Sequence, residues 1–201
     1  MAQVKEKSSK DKLICATIEL MSARGFESMG IHSILESADV SKSNFYYHFK
    51  SKEELCAAAL ESMFEQFFGE FLDPILQDTS LSPRSRLEKL FDIAYDKMES
   101  GACQTGCPFV NLATETGDVV PTFRKMMNRF FSKYRKKLAD CYQEGVQKGE
   151  FRSDITPSTA ALTILAGING IAVLTKVQKN PLLIRELGQT TLFLLGKSRV
   201  S

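Results

Sequence analysis

The sequence predicts an all-α fold, and three observations support this prediction. Apolar residues recur every three or four positions along most of the chain, as on a helix face, and no stretch alternates as a strand does. A capping side chain stands directly before a proline at Ser82-Pro83, Thr156-Pro157 and Asn180-Pro181, which is typical of helix starts. Glycine follows several of the periodic segments, where helices commonly end.

The first fifty residues predict three short helices. The first carries a periodic apolar face and should end at Gly25. A second helix is predicted from Ile31 to Ala38 and a third from Lys42 to Phe49, with a turn at residues 39–41 between them. This succession has the size of a helix-turn-helix unit.

Longer helices are predicted for the rest of the chain. Ser51 and Glu54 form a capping box that should start a helix running toward Leu72, and Pro74 should end it because proline cannot continue a helix. Capping residues and glycines then predict further helices near 83–100, 106–116, 120–148, 157–178 and 181–196.

Composition excludes several classes of protein. The 43% of apolar and 25% of charged residues are typical of a globular chain and argue against a disordered or fibrous protein. The net charge of +2 creates only a weak overall field, so binding to nucleic acid would require a local basic patch. No apolar run approaches the roughly 20 residues that span a bilayer, and no signal peptide is recognisable, so we expect a cytoplasmic protein without membrane contact. The five cysteines and two histidines lack metal-ligand spacing, so we expect no metal and no cofactor.

The segment from Val40 to Leu55, VSKSNFYYHFKSKEEL, is aromatic and basic and has no acid before Glu53. The predicted packing turns a set of apolar residues inward, namely Ile34, Ala38, Val40, Phe45 and Phe49. The outward set is then Lys42, Ser43, Asn44, Tyr46, Tyr47 and His48. Asparagine can read an adenine edge, and Lys, Tyr and His can donate to phosphates, so this pattern predicts contact with double-stranded DNA. The alternative is an exposed helix end that packs on a neighbour.

Residues Arg24 to Leu55 resemble the signature of the TetR/AcrR family of transcriptional repressors. The resemblance implies a helix-turn-helix DNA-binding domain at residues 1–50 and a helical ligand-binding and dimerisation domain at 51–201. It also implies a homodimer on a palindromic operator and a small-molecule inducer. Asp39 replaces the glycine that is usual in the turn, and aspartate tolerates a positive φ better than most residues do.

The resemblance also assigns roles by position. Lys42, Ser43 and Asn44 match base-reading positions of the recognition helix. Tyr46, Tyr47, His48 and Lys52 match positions that contact phosphates or the groove. His32 matches a second-helix position that contacts DNA, although a solvated surface histidine is an equal alternative.

The two last predicted helices are candidates for dimerisation. The helix at 157–178 carries Gly167 and Gly170, and small residues let a second helix approach closely. The helix at 181–196 is apolar enough to require cover on more than one side. Two helices from each chain would form a four-helix interface. The alternative is that both helices only close the core of their own chain.

The segment from Gly101 to Glu115, GACQTGCPFVNLATE, resembles a GC-x-x-x-N-L-x-x-E segment that lies beside the inducer cavity in a subset of the family. The aromatic side of the helix at 120–148 could line the same cavity or be plain core. The candidate ligand-binding residues are Cys103, Cys107, Phe109, Asn111, Phe130, Phe131 and Tyr134.

The sequence therefore predicts a ligand-responsive, sequence-specific repressor that releases its operator when it binds a small apolar or electrophilic molecule. One alternative is a regulator of the same fold that senses oxidants or electrophiles through cysteine, since Cys107 could lie in the first turn of a helix. Others are a helical enzyme or a protein-binding scaffold. We find no glycine-rich phosphate loop, no paired carboxylates and no nucleophile with a histidine partner, so no catalytic residue is predicted.

Overall fold

The computed structural model describes residues 7–100, 107–116, 118 and 120–197. Regular structure within these ranges is helical, apart from one isolated backbone bridge between Phe151 and Gly196. The helices are α1 (Ser9–Arg24), α2 (Ile31–Ala38), α3 (Lys42–His48), α4 (Lys52–Gln66), a π-helical segment (Phe67–Leu72), α5 (Asp73–Leu76), α6 (Pro83–Glu99), α7 (Pro108–Thr116), α8 (Pro121–Gln147), α9 (Pro157–Gln178) and α10 (Leu182–Leu195). The prediction of an all-α fold is confirmed.

The first three helices form a small unit around α1. Leu13, Ile34 and Phe45, one from each helix, are completely buried. Asp39 ends α2 in the left-handed conformation with φ of 51°, and the Ser41 side chain accepts from the Asn44 N–H to start α3. These two residues build the turn of a helix-turn-helix, because one reverses the chain and the other caps the helix that follows.

The helix that starts at Ser51 continues beyond the predicted end. The α4 helix passes without a break into the π-helical segment and then into α5, which contains Pro74 near its start. The Asp73 N–H donates to the Phe68 carbonyl, five residues earlier, as a π turn requires. The prediction that the helix ends before Pro74 was wrong, because the wider turn gives room for the proline ring.

Most predicted caps form. The side chains of Ser51, Ser82 and Thr156 each accept a hydrogen bond from the backbone three residues ahead. Glu54 reaches back to the Lys50 N–H instead of the Ser51 N–H of a standard capping box. At the last helix, the Asn180 side chain accepts from Leu182, so α10 begins at Leu182, one residue later than predicted.

The larger part of the core lies among α6, α8, α9 and α10. The α8 helix packs on α9 and α6, and α10 packs on both α6 and α9. Phe123, Phe130 and Tyr142 from α8 are almost completely buried, as the amphipathic pattern of this helix predicts. The α4 helix packs on α1 and α8, so it joins the small unit to this core.

Among the described residues, α9 is long and apolar enough to cross a membrane by length and composition alone, which the sequence reading did not foresee. Only 28% of its most apolar 18-residue stretch is buried within the chain. Thr163, Asn169 and Gly170 interrupt the apolar run. Most of this apolar stretch of α9 is therefore a surface that no other described part of the chain covers.

Candidate DNA-binding surface and ligand cavity

The outer face of α3 presents the side chains that the sequence singled out. Lys42 and Ser43 are exposed, Tyr46 is 51% exposed and Tyr47 is 83% exposed, whereas His48 is half-buried. Phe45 and Phe49 point into the core and fix the orientation of this face. Tyr47 is thus mostly exposed, whereas Tyr46 is about half covered and its ring packs on Phe45.

Asn44 has a contact that the sequence did not reveal. Its side chain is partly buried, and Nδ2 donates to Ser9 Oγ at 2.9 Å. This bond joins α3 to the first turn of α1 across 35 positions of sequence. Asn44 therefore helps to position α3, and this bond occupies one of the two N–H donors of its amide.

Lys52 also makes internal contacts. Its ammonium donates to the carbonyls of Phe26 and Met29 at 2.9 Å each and lies 4.1 Å above the centre of the Phe26 ring. Because an ammonium has three donors, these bonds leave one for a phosphate. His32 is highly exposed, and its Nδ1 lies 3.4 Å from Glu36 in the next turn of α2.

A cavity of about 240 Å³ lies between the π-helical segment, α6, α7, α8, α9 and α10. We call it the aromatic cavity, after its lining residues Phe67, Phe71, Phe91, Phe109, Phe130, Phe131 and Tyr134. The ring centres of Phe109 and Phe130 are 4.3 Å apart, and those of Phe67 and Tyr134 are 5.1 Å apart. Cys107, Lys97 and Asn169 add the polar groups. This lining suits a small, largely apolar molecule.

The cavity brings together five of the seven residues predicted to bind a ligand. Cys107, Phe109, Phe130, Phe131 and Tyr134 line it. Asn111 does not, because two residues of helix turn it away from the side of α7 that carries Phe109. Cys103 lies outside the described residues.

The sequence prediction named no lining residue from four other elements. Phe67 and Phe71 come from the π-helical segment, Phe91 and Lys97 from α6, Asn169 from α9 and Ile184 from α10. The FFGEF run at 67–71 could have indicated the lining from the π-helical segment, since several large aromatic rings close together in sequence need apolar partners to pack on. The contributions of α6 and α9 depend on tertiary packing.

Burial determines the protonation of Tyr134 at the cavity and of two cysteines elsewhere in the core. Desolvation raises the pKa of the Tyr134 hydroxyl, and the nearby Cys107 adds to this effect, so the phenol is neutral at physiological pH. Burial also raises the pKa of the Cys56 thiol to about 12 and that of Cys141 to about 11. These two cysteines are therefore protonated and unreactive at neutral pH. Of the described cysteines, Cys107 is the one that lines the cavity.

Comparison with known proteins identifies the family. Residues 13–59 match the model of the bacterial regulatory proteins of the tetR family. Residues 83–190, more than half of the chain, match the model of the tetracyclin repressor-like C-terminal domain. The chain belongs to the TetR family. It is accordingly a DNA-binding transcriptional regulator and not an enzyme, as the sequence predicted.

Individual relatives extend over most of the chain. Transcriptional regulator AcuR of Cereibacter sphaeroides is 28% identical over 169 residues, which cover 84% of this chain and 77% of AcuR. The crystal structure of regulatory protein TetR from Rhodobacter sphaeroides has a TM-score of 0.85 at 26% identity and covers 93% of this chain and 98% of that chain.

A third relative is the transcriptional repressor NemR of Escherichia coli K12. It is 27% identical over 124 residues, which cover 62% of either protein. The crystal structure of the reduced form of E. coli NemR has a TM-score of 0.88 at 21% identity and covers 96% of this chain and 99% of that chain. This structure shares the fold, from the helix-turn-helix unit to the last helix.

Proposed function

We propose that this TetR-family protein is a cytoplasmic repressor that binds a palindromic operator as a homodimer and releases it when a small apolar molecule occupies the aromatic cavity. The observation that carries the proposal is the cavity itself. Its wall includes Phe67 and Phe71, which belong to the same continuous helical run as α4. The other end of that run begins at Lys52, beside the helix-turn-helix unit.

The exposed face of α3 supports binding to DNA. Lys42, Tyr46 and Tyr47 supply donors for phosphates, and Ser43 can donate to or accept from a base edge. The net charge of +2 is small, so this local face rather than the overall field must attract the duplex. Asn44 reads a base with the part of its amide that Ser9 leaves available.

The exposed apolar face of α9 and α10 supports the homodimer. Its members are Leu162, Val173, Leu174, Val177, Leu182, Phe193 and Leu194, with Val177 74% and Phe193 79% exposed. Soluble proteins seldom expose so large a set of apolar side chains unless a partner covers them. A second copy of the chain is the partner that also provides the second recognition helix for a palindrome. This occupant explains the exposed part of α9 without a membrane.

The lining of the cavity supports a neutral, mostly apolar ligand with one polar group. The neutral Tyr134 hydroxyl and the Asn169 amide can hold that group. A ligand that enters between Phe67, Phe109 and Phe130 has to move at least one of these rings, because they already contact each other. Release of DNA follows if the ligand binds the displaced arrangement more tightly than the operator-bound one.

A second candidate function is the sensing of electrophiles or oxidants through Cys107. Cys107 is half-buried, lines the cavity and directly precedes α7, so a molecule in the cavity meets the sulfur. The E. coli NemR structure that shares this fold is of a reduced form. In this version a covalent adduct at Cys107 replaces the reversible ligand as the occupant of the cavity.

The DNA-binding part of the proposal is tested by selection of DNA from a random pool with wild-type protein. We expect a palindromic sequence to be enriched, and the affinity of the protein for this DNA should fall steeply as the salt concentration rises. Repeating the selection with Asn44→Ala and Ser9→Ala separates two roles of Asn44. If Asn44 reads a base, Asn44→Ala weakens the base preference at one position of the selected site. Ser9→Ala only breaks the bond between α1 and α3, so it leaves the base preference at that position unchanged. Absence of an enriched site with wild-type protein would refute the proposal.

A further inference from the structure

The last turn of α7 is bonded to the loop between α1 and α2. One carboxylate oxygen of Glu115 accepts from the Phe26 N–H at 3.0 Å, and the other accepts from the Glu27 N–H at 2.7 Å. These are charge-assisted bonds between residues that are 89 and 88 positions apart in sequence. They link the ligand-binding helices directly to the small unit that carries the recognition helix.

The loop is shaped to receive a carboxylate. Gly25 has φ of +81° and ψ of 174°, a conformation that is open almost only to glycine, and the two N–H groups that follow it point to the same side. Successive N–H groups of this kind form an anion-binding concavity. A Cβ atom on Gly25 would lie 2.6 Å from Glu115 Oε2, so glycine is also required by the close approach of the carboxylate.

The same loop has two further supports. Lys52, at the start of α4, donates to the carbonyls of Phe26 and Met29. Phe123, near the start of α8, packs edge-on against the Phe26 ring with the centres 4.9 Å apart. The α4, α7 and α8 helices therefore all meet at this loop, which leads within a few residues to the start of α2 at Ile31.

The other end of α7 lies in the aromatic cavity. Phe109 is buried there, with its ring 4.3 Å from that of Phe130 and 5.4 Å from that of Phe67. Six residues of helix separate Phe109 from Glu115, a distance of about 9 Å along the axis. A displacement of Phe109 is therefore transmitted along a short helix to the carboxylate.

We propose that Glu115 is the positioning residue through which the occupant of the cavity controls the orientation of the helix-turn-helix unit. When the cavity is empty, the carboxylate holds the loop at residues 25–30 and fixes α1 and α2 for operator binding. A ligand that displaces Phe109 withdraws the carboxylate from the Phe26 and Glu27 amides. This inference rests on the proposed ligand-dependent release and assigns the contact that transmits it.

The test compares Glu115→Gln with wild type and with Glu65→Gln. Glutamine has the shape of glutamate, but an NH2 group replaces one of the two oxygens that accept from Phe26 and Glu27. One of these amides then faces a donor instead of an acceptor. Glu65 is exposed on α4, and its substitution matches the change in charge without touching the loop. The probe is N-phenyl-1-naphthylamine, a neutral apolar fluorophore. Operator affinity is measured by anisotropy of the selected DNA with and without the probe.

We expect saturating probe to lower operator affinity of wild type and Glu65→Gln by at least about fivefold, which is the usual lower range of coupling between two sites. The Glu115→Gln variant should bind the probe as wild type does in the absence of DNA, but the probe should change its operator affinity by less than about twofold. A merely structural glutamate would change operator affinity without abolishing the coupling. Full coupling in Glu115→Gln would overturn the inference and leave the proposed function intact.

A second measurement needs no variant. Hydrogen exchange of the peptide that covers residues 25–30 should become faster in wild type when the probe binds, because the Phe26 and Glu27 amides lose their acceptor. If the probe reduces operator affinity but leaves the exchange of this peptide unchanged, the role of Glu115 is overturned and the proposed release mechanism is not. A probe that fails to bind wild type, or that binds without reducing operator affinity, would overturn both this inference and the proposed release mechanism.

Discussion

Replacement of Glu144 by glutamine should destabilise the protein in a pH-dependent way. Glu144 on α8 accepts two bonds from the Arg86 guanidinium, at 2.6 and 3.1 Å. The Arg86 side chain is only 3% exposed, and it also donates to the carbonyls of Leu76, Asp78 and Leu81. This arginine thus fastens the connection between α5 and α6 onto α8.

The size of the effect follows from the bonds that are lost. Glutamine can accept one bond without charge, so the guanidinium loses its counter-charge and one acceptor. A hydrogen bond to a charged group contributes about 1.5–3 kcal/mol to stability. Because Glu144 is 34% exposed, solvent weakens the pair, and we expect a loss of about 2 kcal/mol. For a chain of this length, such a loss lowers Tm by about 4–8 °C.

Acid should remove this difference. Arg86 and, to a smaller extent, Lys148 lower the pKa of Glu144 from 4.5 to about 2 in the folded protein. A lowered folded pKa stabilises the protein fully above the unfolded value, and this stabilisation is lost as the pH falls from about 4.5 toward about 2. The gap between wild type and Glu144→Gln is therefore largest at neutral pH and shrinks in acid.

Circular dichroism melts at one fixed protein concentration, at pH 7 and near pH 3, measure both effects. Glu88→Gln is the matched control, because Glu88 forms an exposed ion pair with Arg84 one turn earlier in α6. This replacement should lower the free energy of unfolding by at most about 0.5 kcal/mol. Equal Tm values for wild type and Glu144→Gln at pH 7 would refute the reasoning. So would a difference that stays constant on acidification.

Three further predictions concern the dimer, the core and the thiol. Gly170→Leu should convert the proposed dimer to monomer in sedimentation. A Cβ at Gly170 meets no atom of the described residues within 4 Å, so a leucine would project outward and push the partner helix away. Gly69→Leu, equally open but on the π-helical segment, should leave the oligomeric state unchanged. Gly145→Ala should lower stability by about 1–3 kcal/mol in urea unfolding, since its Cβ would lie 2.3 Å from the Phe151 ring; an unchanged midpoint would contradict this packing. Cys107→Ser should abolish any response of operator binding to electrophiles while leaving operator affinity intact, and a persisting response would exclude the thiol as sensor.

The helix-turn-helix unit was predictable because its signals are local. Ser41 caps α3 within three residues, Asp39 supplies the left-handed turn, and the apolar spacing in α2 places Ile34 in the core. The bounds of α2 agree with the prediction at both ends. The division of the chain into two domains after residue 50 stays a prediction, and so do the roles assigned to the DNA-binding and ligand-binding residues.

Contacts between distant segments were not predictable from one sequence. Asn44 donates a hydrogen bond to Ser9, and Lys52 donates to the carbonyl of Phe26. Glu115, 89 positions further along the sequence, accepts from the N–H of the same Phe26. Each depends on how helices dock, and no local pattern encodes that. The π-helical segment was missed because no local pattern marks the wider turn, although its Phe67 and Phe68 rings pack on Phe130 of α8.

The most direct test of the account is reciprocity between the probe and the operator in wild-type protein. Operator affinity is measured with and without saturating N-phenyl-1-naphthylamine, and probe affinity is measured with and without saturating operator. If the cavity and the recognition helices belong to one coupled system, both affinities fall, and they fall by the same factor, which we expect to be at least about five. The account would be contradicted if the probe bound the protein with the same affinity in the presence and in the absence of operator DNA.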